Sequence, residues 1–314
     1  MSVPTSTLTT SDAVTADTVY EDLSPTVKMI SPVDTIVFSK LGNTSNDVKN
    51  TKHEWLKDSL AAAASNAHVD GDDDTTEAVT LPTRLYNMHQ IQKKTLQISG
   101  SVGVSDAPQK VHSEEYQTVK KTKELMKDHE YALMNGIRND GGASTARQMR
   151  GIPNWITTNI SKHGDATVLA NGTISGGTAR DLTAQMIKDV RQGCFVSGGN
   201  PNEAFCGPFQ KRQVTRFSEA GNYRTQIEGK KFMTTIDVFV DEFGILKITP
   251  HRNMPNDIML LLDMDYWKKA VYRSQRKYKL AKTGDNDKST ILSEWTVEAC
   301  SEDSSGRIVN LTTA

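Results

Sequence analysis

Two stretches have the residue types of a metal site, and each lacks part of the pattern that metal binding requires. His53 and Glu54 begin like a helical zinc-protease motif, but Lys57 stands where the second histidine is needed. A run of aspartates has the charge of a calcium loop without the spacing or the closing glutamate of an EF-hand. The sequence therefore predicts no metal and no cofactor. A solvated loop tip, or a contact with basic residues of a neighbouring subunit, is favoured for these aspartates: Asp70, Asp72, Asp73 and Asp74.

Candidate nucleophiles, phosphate loops and nucleic-acid contacts are also incomplete. Cys194 with His163 would be a nucleophile pair, but Cys194 falls in a predicted strand and is typical of a buried packing residue. The Gly-Lys pair at 229–230 lacks the upstream glycine of a phosphate loop, and the glycine-rich stretch 172–177 favours a flexible connector. The basic run 273–279 is typical of a solvated face. An enzyme, such as a hydrolase using Cys194 or the aspartates, is the least favoured class because no reactive pair is predicted to converge.

Composition narrows the class of protein further. The 314 residues have a net charge of −1, so a strong phosphate-binding surface is not predicted. Hydrophobic residues are 36%, and glycine raises this to about 43%, just under the usual share, which fits arms that bury their surface only against neighbours. Three cysteines without a CxxC pair indicate free thiols in a reducing compartment. No apolar run approaches the roughly 18 residues of a membrane span, so neither a membrane location nor secretion is expected.

The longest predicted element is a helix over 111–136, which has no proline or glycine from Val111 to Asn135. At 1.5 Å per residue it would be about 37 Å long. Val119, Met126 and Leu133 recur near the helical period as a narrow apolar stripe, and most of the remaining circumference is charged. The pattern predicts a helix that lies across one surface and packs through that stripe.

The residues before this helix look like extended arms. Residues 1–27 are rich in Ser and Thr, contain no Lys or Arg, and have the composition of a disordered tail. An ordered tail would need something to hold it, and we infer that another subunit does so. Two strand-like runs, 51–60 and 83–100, are separated by the small and acidic stretch 61–80. Because neither face of the second run is consistently apolar, we expect a two-stranded ribbon that does not sit on a core and must lie on some other surface. Two unrelated strands of one globular sheet are the alternative.

The residues after the helix predict a mixed α+β body without regular βαβ alternation. Its predicted elements, in chain order, are a helix at 178–192, a strand at 193–203, a hairpin at 232–250, a buried strand at 257–263, a short helix at 264–273, a strand at 291–299 and a final strand at 307–311.

Several turns and strands, none diagnostic alone, occur in an order and spacing that together are specific. They are His53-Glu54-Trp55, Asp58-Ser59-Leu60-Ala61, 83–87, 90–100, 241–244, 250–255, 262–267, 280–285 and 294–298. In this order, over about residues 30–312, the chain resembles the major capsid proteins of tailed bacteriophages with the Hong-Kong-97-like fold. A tail-tube protein and a cellular encapsulating shell remain as alternatives, although tube proteins usually have a β-rich body without a long surface helix.

The resemblance implies a fold with four parts: an N-terminal arm (1–42), an extended β-ribbon loop (43–101), a peripheral domain that holds the spine helix (102–160 and 230–262), and an axial domain with the C-terminal strands (161–229 and 263–314). It also implies pentamers and hexamers that tile an icosahedral capsid around double-stranded DNA, which is contacted without sequence specificity. The expected location is the virion, assembled in the host cytoplasm. Further partners of the family are decoration, scaffolding and portal proteins.

The same resemblance assigns contact residues and no catalytic ones. Contacts between subunits are expected through the N-terminal arm at Tyr20 and Leu23, and the spine helix is expected to pack through Val119, Met126 and Leu133. The contact residues expected in the extended loop are His53, Trp55, Lys57, Asp72, Asp73, Asp74, Arg84, Tyr86, Lys93 and Lys94. Some relatives cross-link a loop lysine to an asparagine, but nothing identifies an asparagine partner or acidic catalyst for Lys93 or Lys94, so no cross-link is predicted.

Overall fold

The computed structural model describes residues 34–44, 48–71, 73, 79–101, 113–220 and 238–313. Its helices are α1 (Ile36–Lys40), α2 (Glu114–Asn135), α3 (Ile152–Trp155), α4 (Ala184–Val196) and α5 (Pro208–Ala220). Its strands are β1 (Gly42–Asn43), β2 (Lys52–Lys57), β3 (Thr83–Met88), β4 (Gln90–Ser99), β5 (Ile160–Ser161), β6 (Thr167–Val168), β7 (Ile174–Ser175), β8 (Glu203–Cys206), β9 (Val238–Asp241), β10 (Gly244–Pro250), β11 (Met259–Leu262), β12 (Trp267–Lys279), β13 (Asn286–Ala299) and β14 (Gly306–Ile308).

The long helix predicted over 111–136 is confirmed as α2 from Glu114 to Asn135, while residues 111 and 112 lie outside the described residues. Local signals set its ends. Ser113 is the N-cap, and its hydroxyl accepts a hydrogen bond from the backbone N–H of Tyr116. Glu114 and Glu115 in the first turn interact favourably with the positive end of the helix dipole. At the other end the chain leaves the helical conformation at Gly136, whose N–H donates to the carbonyl of Ala132. The sequence alone therefore specifies this helix.

The packing face of α2 differs from the predicted stripe. Of the three stripe residues only Leu133 is fully buried; Met126 is half-buried, and Val119 is 56% exposed. The buried face instead includes Leu125, His129, Glu130, Ala132, Leu133 and Met134. The prediction was wrong for Val119 because hydrophobic periodicity counts His129 and Glu130 as outward-facing, whereas both are buried through hydrogen bonds to other elements.

The predicted ribbon exists, but it packs on its own chain. Strands β2 and β3 pair antiparallel from Lys52 opposite Met88 to Lys57 opposite Thr83. Strand β4 then separates from the ribbon and pairs with β13. The inward residues of the ribbon are polar as often as apolar, and the polar ones are hydrogen-bonded within the fold. Hydrophobic alternation in the sequence therefore does not reveal which face of the ribbon is buried.

A four-stranded sheet in the order β1-β12-β13-β4 supports α2. Strand β12 replaces the short helix predicted at 264–273, of which only a 3₁₀ turn at Met264–Tyr266 is present. The apolar spacing there suits a helix, but antiparallel pairing with β13 along almost the whole strand fixes an extended conformation. The strand predicted at 291–299 is confirmed as part of the longer β13.

A six-stranded sheet in the order β5-β14-β11-β8-β10-β9 forms the second body. The hairpin predicted at 232–250 is confirmed from Val238 onward as β9 and β10, while residues 232–237 lie outside the described residues. Gly244, the first residue of β10, has a φ of +108°. The helix predicted at 178–192 begins later than expected, after the N-cap Thr183, and ends at Val196, so it includes the first four residues of the strand predicted at 193–203. Gly193 lies inside this helix. A Cβ there would be 2.9 Å from Oδ1 of Asn159, so the glycine permits close packing of the helix against Asn159. Helix α5 was not predicted.

Two hydrophobic clusters fill the molecule, and one strand joins them. The first cluster includes all four tryptophans, at 55, 155, 267 and 295, with Leu133 of α2. The second lies between α4 and the six-stranded sheet. Strand β11 contributes Leu260 and Leu262 to the first cluster and Met259 and Leu261 to the second. Alternation along one strand therefore couples the two cores.

Candidate assembly interface

The segment between β2 and β3, residues 58–82, is the most exposed part of the described chain, and we call it the outer loop. Each of its described residues (58–71, 73 and 79–82) is exposed, and no helix or strand is formed among them. Its large apolar side chains have no cover within the described chain: Leu60 is 98% exposed, Val79 89%, Leu81 85% and Val69 78%. Exposed apolar side chains on a segment without helix or strand make the outer loop a candidate interaction surface.

The two ends of the outer loop are anchored beside each other. Lys57 pairs with Thr83 as the last register position of the β2–β3 ladder. The ammonium group of Lys57 also forms an ion pair with Asp303. Burial alone would raise the pKa of Asp303, but the hydrogen bond from Lys57 holds that pKa below its ordinary value. The outer loop is thus exposed, and its two ends are held at Lys57 and Thr83, which we call its base.

Three predicted loop contacts belong to the base and are made within the chain. Trp55 is buried, and its indole N–H donates to the carbonyl of Ala299 at 2.9 Å. His53 is buried, with its Nε2 2.9 Å from a carboxylate oxygen of Glu298. Because these two side chains and Lys57 are engaged in this way, their assignment as contacts to a neighbouring subunit is corrected: they attach the ribbon to its own body.

The other predicted loop residues are distributed between internal contacts and the surface. Tyr86 lies between the ammonium of Lys52, 4.1 Å from the ring centroid, and the guanidinium of Arg138, at 4.4 Å. Lys94 forms an ion pair with Asp128 at 2.6 Å. Exposed side chains remain at Asp73, Arg84 and Lys93, whereas Asp72, Asp74, Tyr20 and Leu23 lie outside the described residues.

A second exposed apolar surface lies where α4 meets the β9–β10 turn. Phe195 and Phe243 contact each other with ring centroids 5.3 Å apart, and Val196 beside them is exposed. Val240 and Ile245, which are paired across the hairpin, are exposed as well. A buried ion pair between Arg191 and Asp241 fixes the helix against the turn. This surface was not predicted, because its residues come from two separate segments.

A buried carboxylate connects the first described element to the spine helix. Glu130 of α2 accepts hydrogen bonds from the backbone N–H groups of Val37 and Phe38 in α1, at 2.8 and 2.9 Å. Its Oε1 also lies 2.6 Å from Nε2 of His251. The carboxylate therefore satisfies free N–H groups at the first turn of α1 and fixes the course of the chain there.

The residues first considered for chemistry form no reactive site where the structure describes them. Burial raises the pKa of the Cys194 thiol to about 12, so it remains protonated, and the ring of His163 faces Asp165 at 3.3 Å. Within the described ranges, no group of three or more His, Cys, Asp or Glu residues is arranged to hold a metal. In the basic run, Arg273 and Lys277 are paired with Glu294 and Glu114. The Gly-Lys pair at 229–230 lies outside the described residues.

Comparison with known proteins identifies the family. The family model of the SU10 major capsid protein matches residues 4–312. The chain belongs to this family. The major capsid protein of Escherichia phage Phieco32 is 23% identical over 310 residues, covering 85% of this chain and 87% of the relative.

Solved structures agree on the fold. The capsid asymmetric unit of Cyanophage A-1(L) has a TM-score of 0.65 at 13% identity, covering 94% of this chain and 98% of that one. A chain of Gordonia phage Cozz gives 0.63 at 9%, covering 99% and 98%. An encapsulin complex of Synechococcus elongatus gives 0.58 at 9%, covering 98% of each chain.

These findings confirm the predicted class. The protein is a structural major capsid protein of a bacteriophage with the mixed α and β Hong-Kong-97-like fold, and it associates with copies of itself into capsomers. No helix among the described residues is long and apolar enough to cross a bilayer.

Proposed function

We propose that this capsid protein forms rings of five and six copies, which close into an icosahedral shell around packaged double-stranded DNA in the host cytoplasm. The outer loop is the contact with the adjacent copy. Exposure of its apolar side chains is the observation that supports this role, since a stable protein covers such residues in its working state. Contacts in a ring are heterologous, so a loop projecting from each copy meets a different surface of the next.

Two further observations support a passive container wall. The net charge of −1 suits a shell that does not bind DNA tightly. The protonated thiols of Cys194 and Cys206, whose pKa burial raises to about 12 in each case, are unreactive, which supports a role without catalysis. Scaffolding, decoration and portal proteins are the further partners that such a shell would use.

The outer loop provides the test. Purified protein is examined by mass photometry and negative-stain electron microscopy over a range of concentrations, beside a variant in which residues 62–80 are replaced by a short Gly-Ser linker. We expect rings and shells from the unaltered protein and only monomers from the variant. Thermal unfolding of the two monomers should coincide, because the described residues of the deleted segment make few contacts with the body.

A matched variant separates loop length from loop chemistry. Replacing Leu60, Val69, Val79 and Leu81 with serine keeps the length and should also abolish shells. If the isolated monomers of the two variants unfold at a clearly lower temperature than the unaltered monomer, the proposal is contradicted, because the loop would then be part of the folded body.

A cellular encapsulating shell is the second candidate, because the encapsulin structure has the same fold over almost the whole chain. The contents of shells isolated from the native source separate the two. Nuclease-protected double-stranded DNA supports the phage capsid, and a protein cargo without DNA supports the encapsulating shell.

A further inference from the structure

Strand β12 is an edge strand of the four-stranded sheet along most of its length. On one side it pairs with β13. On its other side β1 covers only Lys268 and Lys269, and the N–H of Thr44 donates to the carbonyl of Lys269 at 3.0 Å. From Arg273 to Lys279, no strand among the described residues pairs with this side, which we call the open β12 edge. The outward backbone N–H and C=O groups of such an edge can bind a further strand.

The open β12 edge is strongly basic. Residues 267–282 contain seven Lys or Arg residues and no Asp or Glu. Three of these cations pair with carboxylates on β13 or α2. Arg276 and Lys279 are exposed, and neither forms an ion pair with a residue that the structure describes. Like charges disfavour the pairing of two such edges with each other, whereas a strand that carries acidic residues is attracted to one.

The geometry of β12 favours strand addition near its end. Its register against β13 shifts twice between Val271 and Arg276. From Arg276 to Lys279 the pairing is regular, so the backbone there is extended without interruption. Tyr278 and Leu280 are exposed at this end of the strand and offer apolar surface to an added strand. Charged side chains and register shifts are the usual means of blocking an edge, so the exposed apolar side chains favour a binding role.

The outer loop has the properties of a strand that fits this edge. Its residues, 58–82, include six Asp or Glu and no Lys or Arg. Every residue from 58 to 69 is exposed, and none of them belongs to a helix or strand before the turn at Asp70 and Gly71. The first proline of the loop is Pro82, so a backbone N–H is present at every position from 58 to 69. The loop therefore offers extended backbone and the opposite charge to the open β12 edge.

The loop that fits this edge comes from another copy. The base of the outer loop lies beside Ala299, because Trp55 near the end of β2 donates to the carbonyl of that residue. Ala299 pairs with Trp267, and roughly 40 Å of strand separates Trp267 from Lys279 at about 3.3 Å per residue. Leu60 is 98% exposed, so the loop leaves its own body close to the base. Contacts around a ring are heterologous, so the loop of one copy meets the edge of the next.

We propose that the outer loop of a second copy of this chain adds as a strand to the open β12 edge. The inference rests on the proposed function, because it names the surface that the loop contacts in the adjacent copy. Backbone hydrogen bonds of residues 58–69 provide the affinity, as in other cases of strand addition. Charge provides the selectivity, since two loops or two edges repel each other and each loop therefore selects an edge.

Hydrogen exchange tests the pairing in the whole protein. Unassembled protein and purified shells are compared by hydrogen–deuterium exchange and mass spectrometry. We expect backbone amides in 58–69 and in 273–279 to exchange at least about tenfold more slowly in shells, because both segments enter one hydrogen-bonded ladder. Unchanged exchange of either segment in shells would overturn the proposal.

Charge reversal on the edge tests the selectivity. The double variant Arg276→Glu, Lys279→Glu should lose shells, because its edge repels the acidic loop. The control Lys123→Glu, Lys247→Glu makes the same change in net charge at two other exposed lysines and should assemble normally. Thermal unfolding of the unassembled edge variant should match that of the unaltered protein, because no ion pair of the described residues is removed.

A charge swap separates a direct contact from a general loss of assembly. Replacing Asp58, Asp70 and Asp73 with lysine in the edge variant gives each copy a basic loop and an acidic edge, and shells should return. No return of shells from a folded swap variant would overturn the proposal. So would an edge variant that assembles normally but binds a short DNA duplex more weakly than the unaltered protein, since the edge would then contact nucleic acid.

Assembly distinguishes this inference from the proposed function. If the unaltered protein forms shells and the edge variant forms them equally well, the edge assignment is overturned and the capsid proposal stands. If the unaltered protein forms no rings or shells even with its natural assembly partners, the proposed function fails, and this inference fails with it. Loss of shells in the edge variant, with normal assembly of the control and of the charge swap, supports strand addition at β12.

Discussion

At the scale of single residues, the structure buries polar side chains that the hydrophobic pattern of the sequence places on the surface. Glu130 and His129 are adjacent on α2, and both are buried. Glu130 joins α1 to the spine helix, and His129 hydrogen-bonds Ser293 of β13 through its Nε2 at 2.7 Å while contacting the rings of Phe38 and Trp295. Each residue therefore connects α2 to different elements, and each connection predicts a measurable effect.

Replacing Glu130 with glutamine should destabilise the monomer by roughly 3 kcal/mol, because the amide cannot accept from His251, Val37 and Phe38 as the carboxylate does. Urea unfolding measures this change. Glu124→Gln is the matched control on the same helix, where a half-buried i,i+3 pair with Lys121 should contribute only about 0.3–0.5 kcal/mol. Similar losses in the two variants would contradict the assigned role of Glu130.

His129 should make stability fall on acidification. Burial lowers its pKa from 6.5 to about 4, with only a small opposing effect of Asp128. The unfolded chain binds the proton more readily, so this stabilisation is complete above about pH 6.5 and is lost as the pH falls towards 4. Between pH 7 and 4.5, the unaltered protein should lose about 2–3 kcal/mol more than His129→Gln in urea unfolding. The variant His68→Gln, at an exposed histidine, should lose as much stability between pH 7 and 4.5 as the unaltered protein. If His129→Gln also loses that full amount, His129 is not the source of the pH dependence.

At the scale of elements, the ribbon β2–β3 illustrates how one run can be divided between two sheets. Residues 83–100 were predicted as a single arm strand, and they form β3 in the ribbon and β4 in the four-stranded sheet. His89 lies between them, buried, with its backbone N–H bonded to the carbonyl of Thr51 at 2.9 Å. The base of the ribbon is therefore part of the body, and only the outer loop projects from it.

Adjacent residues on opposite faces of β2 test this division. Trp55→Ala should destabilise the monomer by about 3–5 kcal/mol, because it empties a buried site between Trp155 and the carbonyl of Ala299. Leu56→Ala, at an exposed neighbouring position, should change stability by less than about 0.5 kcal/mol. Chemical denaturation followed by circular dichroism compares the two. A small effect of Trp55→Ala would indicate that the ribbon is an independent arm, as the sequence pattern suggested.

At the scale of the whole molecule, β11 contributes residues to both hydrophobic clusters, and we expect the two clusters to unfold as one unit. All four tryptophans lie in the first cluster, so their fluorescence reports that cluster alone. Leu261→Ala removes packing only from the second cluster, at an expected loss of about 2–5 kcal/mol. If the clusters unfold together, the tryptophan transition in urea should shift by the same amount as the circular dichroism transition. A circular dichroism change that precedes an unshifted fluorescence transition would show two independent units.

The sequence by itself determined the elements whose signals are local. The absence of proline and glycine from Val111 to Asn135 indicates α2, and alternation around the turn at 241–244 indicates the β9–β10 hairpin. The order and spacing of turns over most of the chain were enough to predict the capsid family, which the family model confirms. The helix and the hairpin could be predicted because each depends on residues close together in the chain.

Only the tertiary structure decided which faces are buried and which segments stay exposed. The strand β12 exists because β13 pairs with it, and His53, Trp55 and Glu130 are internal because distant residues supply their hydrogen bonds. Hydrophobic periodicity records the polarity of each residue and not its partners, so it cannot distinguish a buried, hydrogen-bonded polar side chain from a solvated one.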